Sequence, residues 1–148
     1  MKKITLISLI LFTAISLKAQ VPAGTDGIGA KFGSYFGGTY KNYITSSSAV
    51  EGIVAFDWDF NTLGLIANYH IIQTDLYQDW QGLDWYAGLG GQFWIGDNTT
   101  IGPSGTAGLE YTFEDAPFSI FGDFTLYLGI GDDSGFQPQF GLGARKNF

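Results

Sequence analysis

Leu83-Asp-Trp-Tyr-Ala-Gly-Leu-Gly-Gly-Gln-Phe-Trp-Ile95 sorts its side chains by parity. Trp85, Ala87, Leu89, Gly91, Phe93 and Ile95 fall in one set, and Asp84, Tyr86, Gly88, Gly90, Gln92 and Trp94 in the other. Successive side chains of a strand point to opposite faces of its sheet. The stretch therefore reads as a strand with one apolar face and one face of small, polar and charged groups. Phe93 and Trp94 are adjacent, so a soluble barrel that buries one must expose the other. A wall with hydrocarbon on one side and a packed interior on the other accepts both, and this alternation is the mark of a membrane strand.

The same period recurs along the chain. It predicts strands over Gly27–Tyr35, Gly38–Thr45, Ala49–Trp58, Thr62–Ile71, Leu83–Ile95, Ile101–Phe113, Pro117–Leu128 and Gln139–Phe148. Ile28, Phe32, Val50, Val54, Leu65, Tyr69, Leu109, Phe124 and Leu126 belong to the apolar faces. Lys31, Glu51, Asp84, Glu110, Asp123 and Arg145 all fall on the other side. If Lys41 joins them, Tyr40, Asn42 and Ile44 point outward, where Asn42 is a misfit. Most pieces match the length of a tilted membrane strand, about 9–11 residues. The even count suits a closed bacterial barrel, so the expected fold is all-β, an eight-stranded antiparallel up-and-down transmembrane β-barrel. Pro103 is tolerable near a strand start or at a bulge, not mid-ladder.

Composition agrees. The chain has 22 Gly with 13 Phe, 8 Tyr and 4 Trp. Aromatics favour strands, and glycine within strands marks close backbone approach or a tightly curved wall. Lys2 and Lys3 precede the apolar run Ile4–Leu17, and Ala19 is a small residue at a cleavage position. Residues 1–19 are thus expected to be a signal peptide and 20–148 one barrel domain. The mature part keeps four basic against fourteen acidic residues, a formal −10. That disfavours nucleic acid and anionic membrane surfaces as partners. With no cysteine, disulfides, thiolate metal sites and cysteine nucleophiles are excluded.

The stretch Phe140-Gly-Leu-Gly-Ala-Arg-Lys-Asn-Phe148, an alternating strand closing on an aromatic, resembles the insertion signal of bacterial outer-membrane barrels. Together with Ala49–Ile53, Asp84–Gly88 and Gly108–Pro117 it makes the chain resemble small eight-stranded barrels of the OmpX/OmpA transmembrane-domain type. The resemblance implies an outer-membrane location with both termini periplasmic, and lipid and lipopolysaccharide as neighbours. It also implies a monomer, with the insertion machinery as a partner through the strand ending at Phe148. Ser46–Ser48 and Glu114–Pro117 become periplasmic turns. Asp59–Asn61, Gly96–Asn98 and Gly129–Gly135 fall outside. The longest connection, Ile72–Gly82, lands on the periplasmic side, where turns are usually short; a strand count off by one is the alternative. Two aromatic belts follow, Trp58, Phe60, Phe93 and Trp94 at the outer end and Trp85, Tyr111, Phe113, Phe118 and Phe148 at the periplasmic end.

Candidate chemistry is sparse. An eight-stranded barrel is just wide enough to be filled by side chains, and buried charges must pair. The inward charges therefore read as a structural plug rather than an ion path, with Glu110 and Arg145 at similar depth. His70, the only histidine, would be the base of a lipid-modifying enzyme, but Ser34 and Ser134 are expected a membrane thickness away. Asp57, Asp59, Asp97, Asp132 and Asp133 offer oxygen ligands for Ca²⁺ or Mg²⁺, though solvated loops are the plainer reading. The glycines form no phosphate loop. No catalytic, cofactor-binding or metal site is assigned. The function expected is a non-enzymatic envelope barrel without an open pore. The alternatives are a lipid A deacylase- or acyltransferase-like enzyme and a soluble lipocalin-like barrel.

Overall fold

The computed structural model describes residues 21–73 and 81–148. Eight strands run in chain order: β1 Asp26–Gly33, β2 Phe36–Thr45, β3 Ser48–Phe56, β4 Thr62–Gln73, β5 Leu83–Gly96, β6 Thr100–Thr112, β7 Phe118–Gly131 and β8 Gly135–Asn147. Each pairs antiparallel with its sequence neighbour, and β8 returns to β1 with Gly29 opposite Arg145 and Phe32 opposite Leu142. The sheet is thus a closed up-and-down barrel with no free edge. Strand count and closure agree with the sequence expectation. The Ile72–Gly82 connection does not conceal a miscount of strands, although residues 74–80 lie outside the described ones. So does the expected signal peptide at 1–19.

The parity rule holds on every strand. Leu89 (77 % exposed), Val54, Leu65, Leu109, Phe124, Leu126 and Phe140 cover the outside, while Lys31, Lys41, Glu51, Asp84, Glu110 and Arg145 are buried inside. Asn42 does point outward, and its neighbours explain the misfit. Asn42 Nδ2 and the Tyr40 hydroxyl both donate to Asp26 Oδ1, each at 2.7 Å, near the end of the barrel that carries the termini.

Several boundaries shift. β1 stops at Gly33 and Phe36 already pairs with Phe32, so Ser34 and Tyr35 form a two-residue connection and Tyr35 turns into the barrel. β3 stops at Phe56 because Asp57 Oδ1 accepts the Asn61 and Thr62 amides at 2.9 and 3.2 Å, closing the next turn. Phe60 takes a left-handed φ of 59° in that turn. The expected loop Gly129–Gly135 is mostly sheet, with Gly129 opposite Gly135, and only residues 132–134 connect β7 to β8. Those glycines looked like turn residues yet serve the ladder. Pro103 sits opposite Gly91 within β6, and the pairing with β7 lapses at Gly102 and Pro103, so no ladder amide is lost there.

The two halves differ in height. β5 to β8 have 13 or 14 residues, whereas β1 to β4 have 8 to 12. The rim opposite the termini carries the connections 34–35, 57–61, 97–99 and 132–134. It is called the far rim below.

Candidate functional site: the charged lumen

The inward charges meet in one network. Arg145, 2 % exposed, reaches from β8 to two acids. Its Nη1 donates to Glu110 Oε2 at 2.9 Å and its Nη2 to Glu51 Oε1 at 2.5 Å. Lys41 Nζ adds a second cation to Glu110 Oε2 at 2.6 Å. The Tyr43 hydroxyl donates to Glu110 Oε1 at 2.5 Å and Thr39 Oγ1 to Glu51 Oε1 at 2.6 Å. A planar guanidinium with fixed donors suits this task, because it can hold two carboxylates at once. It also lies over the Phe121 ring at 4.1 Å. The pairing of Glu110 with Arg145 inferred from depth along the strands is therefore present, with Glu51 and Lys41 joined to it.

A second pair lies beside the first. Lys31 Nζ is 2.7 Å from Asp123 Oδ1 and donates to Oδ2 at 2.9 Å; the Tyr86 hydroxyl donates to the same Oδ2 at 3.0 Å. Lys41 Nζ stands 4.5 Å from the centre of the Tyr86 ring, linking the two groups. Asp84 is buried next to Glu110 across the β5–β6 ladder.

Glycine makes room for these long side chains. A Cβ on Gly108 would come within 2.6 Å of the Tyr86 ring and hydroxyl. On Gly64 it would stand 2.6–2.8 Å from the Trp94 ring. Glycine on one strand is the complement of a bulky inward residue on the next.

His70 lies inside this network, 1 % exposed. Its Nε2 is 3.7 Å from Glu51 Oε2, and its ring stacks on Tyr86 with centroids 4.7 Å apart. Ser34 Oγ accepts the Phe140 amide and Ser134 Oγ donates to the Gly131 carbonyl, both on the far rim. The structure does not bring these three residues together.

The rim acids are placed by turns. Asp57 closes the β3–β4 connection, and Asp132 Oδ2 accepts the Thr99 amide at 2.9 Å. Among the described residues no three His, Asp or Glu side chains gather in an arrangement that could hold a metal ion. Trp94 is a correction to the outer aromatic belt. It faces inward, packs edge-on against Tyr35 and donates its Nε1 to Gln92 Oε1 at 2.8 Å. Parity had already put Trp94 on the inner face, and parity wins over its nearness to the rim. At the belt Trp58 and Phe60, expected there, are joined by Phe36 and Phe56, which the sequence reading did not place with them: the Phe36 ring centroid lies 4.9–5.9 Å from those of the other three, and Phe56 lies 6.3 Å from Phe60. The β2–β3 register, which a single strand cannot reveal, sets Phe36 opposite Phe56, and the β3–β4 connection carries Trp58 and Phe60.

A closed eight-stranded barrel with a charged lumen and an apolar exterior is the architecture of small transmembrane barrels. Among solved structures, the chain is similar to the N-terminal β-barrel domain of Pseudomonas aeruginosa OprF, at 19 % identity and a TM-score of 0.66, covering 86 % of this chain and 100 % of that one. A de novo designed transmembrane β-barrel matches at 12 % identity and the same TM-score of 0.66, covering 88 % of this chain and 99 % of the design. No family model and no curated protein matches the chain.

Proposed function

We propose that this chain is a small integral outer-membrane barrel, non-enzymatic, contributing to the envelope as a structural or packing element. The observation that carries this is the inverted distribution of polarity. Ile28, Val54, Leu65, Leu89, Leu126 and Phe140 are exposed on a closed sheet, while three cations and at least three carboxylates are buried within it. A soluble protein gains most by burying large apolar side chains; this one turns them outward on every strand. Hydrocarbon is the solvent that makes that arrangement favourable, and a closed barrel is one of the two architectures that satisfy the backbone within it.

The lumen supports a plug rather than a binding cup. A lipocalin-like ligand would meet Arg145, Glu110 and Lys41 instead of an apolar cavity. A lipid-modifying enzyme needs its base beside a nucleophile, and His70 is enclosed with Tyr86 on its ring and Glu51 beyond. The partners proposed are outer-membrane lipid and lipopolysaccharide, and the insertion machinery through β8 and the Phe148 that follows it; Phe140, Leu142 and Phe148 are all exposed. The barrel is proposed as a monomer with both termini periplasmic.

The experiment is gel mobility of unboiled against boiled protein, together with fractionation of the host envelope. A heat-dependent shift and recovery with outer membranes are expected. A soluble protein with no shift would overturn the proposal.

A further inference from the structure

The outer wall of the barrel is grooved on one side. Ladder pairs set Tyr40 opposite Gly52, Gly52 opposite Ala67 and Ala67 opposite Gly91, all exposed on the outer face. The adjacent row on the far-rim side is bulky, with Val54 opposite Leu65, Leu65 opposite Phe93 and Phe93 opposite Ile101. Small residues beneath large ones leave a shallow groove of about 530 Å³ that crosses from β2 to β6. With strands ~4.8 Å apart it is about 19 Å long. A Cβ on Gly52 would meet nothing within 4 Å, and one on Gly91 only a carbonyl oxygen at 3.7 Å, so the barrel does not fill the groove itself. The groove climbs from the middle of β2 toward the far-rim end of β6, where Ile101 follows Thr100.

Its low end meets a carboxylate. Tyr40 lines the groove, and its hydroxyl donates to Asp26 Oδ1 at 2.7 Å, where Asn42 Nδ2 donates as well. Both donors are neutral, and both engage the same oxygen. Among the described residues no cation pairs with Asp26. Lys146 is exposed on the neighbouring strand, opposite Ile28, and does not reach it. Asp26 exchanges backbone hydrogen bonds with Phe148, which places it at the level of the terminal-end aromatic belt. That is the level of lipid headgroups. A carboxylate bonds most strongly to a charged donor. A primary ammonium supplies both the charge and the hydrogen, whereas a quaternary ammonium has no hydrogen to donate.

We infer, resting on the membrane reading above, that this face is a binding site for one aminophospholipid of the leaflet at the termini. Its ammonium donates to Asp26 beside the Tyr40 hydroxyl. One acyl chain runs from there along Gly52, Ala67 and Gly91, against the Val54–Ile101 row. An anionic headgroup meets an uncompensated carboxylate at the same place and is disfavoured.

The barrel is folded into vesicles holding equal amounts of a phosphatidylethanolamine and a phosphatidylglycerol with the same acyl chains. After flotation it is extracted into mild detergent, and retained lipids are counted by native mass spectrometry. One retained lipid is expected, with phosphatidylethanolamine favoured about tenfold, as a hydrogen bond to a charged group provides. Asp26→Asn leaves an acceptor for Tyr40 and is expected to retain one lipid without headgroup preference. Gly52→Leu combined with Gly91→Leu fills the groove and is expected to retain neither lipid; if that variant does not float, Asp26→Asn decides alone. Equal retention of both lipids by the unsubstituted chain overturns the inference. So does a preference unchanged in Asp26→Asn, lipid retained as before in a floated groove-filled barrel, or a lipid-free dimer in place of the lipid adduct. An unsubstituted chain that fails to float shows something different, that the membrane reading itself is wrong.

Discussion

Arg145→Ala tests the lumen most directly. The guanidinium holds Glu51 and Glu110 at 2.5 and 2.9 Å, and all three side chains are almost wholly buried. Without it Glu110 keeps Lys41 and Tyr43, but Glu51 keeps only the Thr39 hydroxyl and a histidine nitrogen 3.7 Å away. Removing one member of a buried ion pair costs about 3–5 kcal/mol, because the surviving charge is left uncompensated. The comparison is Leu126→Ala on the outer face, where about three buried methylene-sized groups at ~0.8 kcal/mol each are lost, near 2 kcal/mol. Arg145→Met separates charge from volume, since it still covers Phe121. Arg145→Met with Glu51→Gln should recover part of the loss, because the stranded charge is gone. The assay is reversible urea unfolding in vesicles, read by tryptophan fluorescence. Arg145→Ala no more destabilising than Leu126→Ala, with no coupling in the double variant, would refute a stabilising network.

Other outcomes follow from the same packing. Gly108→Ala should destabilise by about 1–3 kcal/mol, as expected when atoms are forced into a filled core, because its Cβ would stand 2.6 Å from Tyr86. Gly52→Ala, which meets nothing within 4 Å, should gain about 0.5–1 kcal/mol from reduced backbone freedom in the unfolded chain; the same urea titration reads both, and equal effects would contradict the packing described. Variants retaining a single tryptophan at Trp58 or Trp85 should be quenched by bromine-labelled lipid, and one retaining Trp94 should not. His70→Ala should leave the host's lipid A acyl pattern unchanged by mass spectrometry; an altered pattern would establish catalysis. Asp57→Ala should loosen the β3–β4 connection, costing about 1 kcal/mol as turn and cap losses do, without affecting the lumen.

Period two is legible because it is local. Each residue's face depends only on its own parity, so Glu51, Asp84, Glu110 and Arg145 could be sent inward without knowing which strands adjoin. Contacts across the barrel are not local. Arg145 meets Glu51 across β1 and β2, at a distance set by barrel diameter and strand tilt. Depth along the strand was enough to match Arg145 with Glu110, while Glu51 required the closed shape. The aromatic cluster around Phe36 was hidden for the same reason. Glycines gave the least reliable signals at Gly129 and Gly135, where one residue type serves both turns and curved ladders.

Trp94 shows how two local rules are ranked. A tryptophan two residues from a strand end invites assignment to an interface belt, where indoles favour the headgroup level. Its neighbour Phe93 points outward, and pleat geometry then forces Trp94 inward regardless of its distance from the rim. The inward position is stabilised on both sides. Gln92 Oε1 accepts the indole hydrogen, and Gly64 on the adjacent strand has no side chain to obstruct the ring. Gln92 is itself held by Gln139 from the opposite wall. Gly64, Trp94, Gln92 and Gln139 therefore form one packed bridge across the lumen. The bridge takes its shape from a glycine, and a Cβ at Gly64 would displace the indole from it.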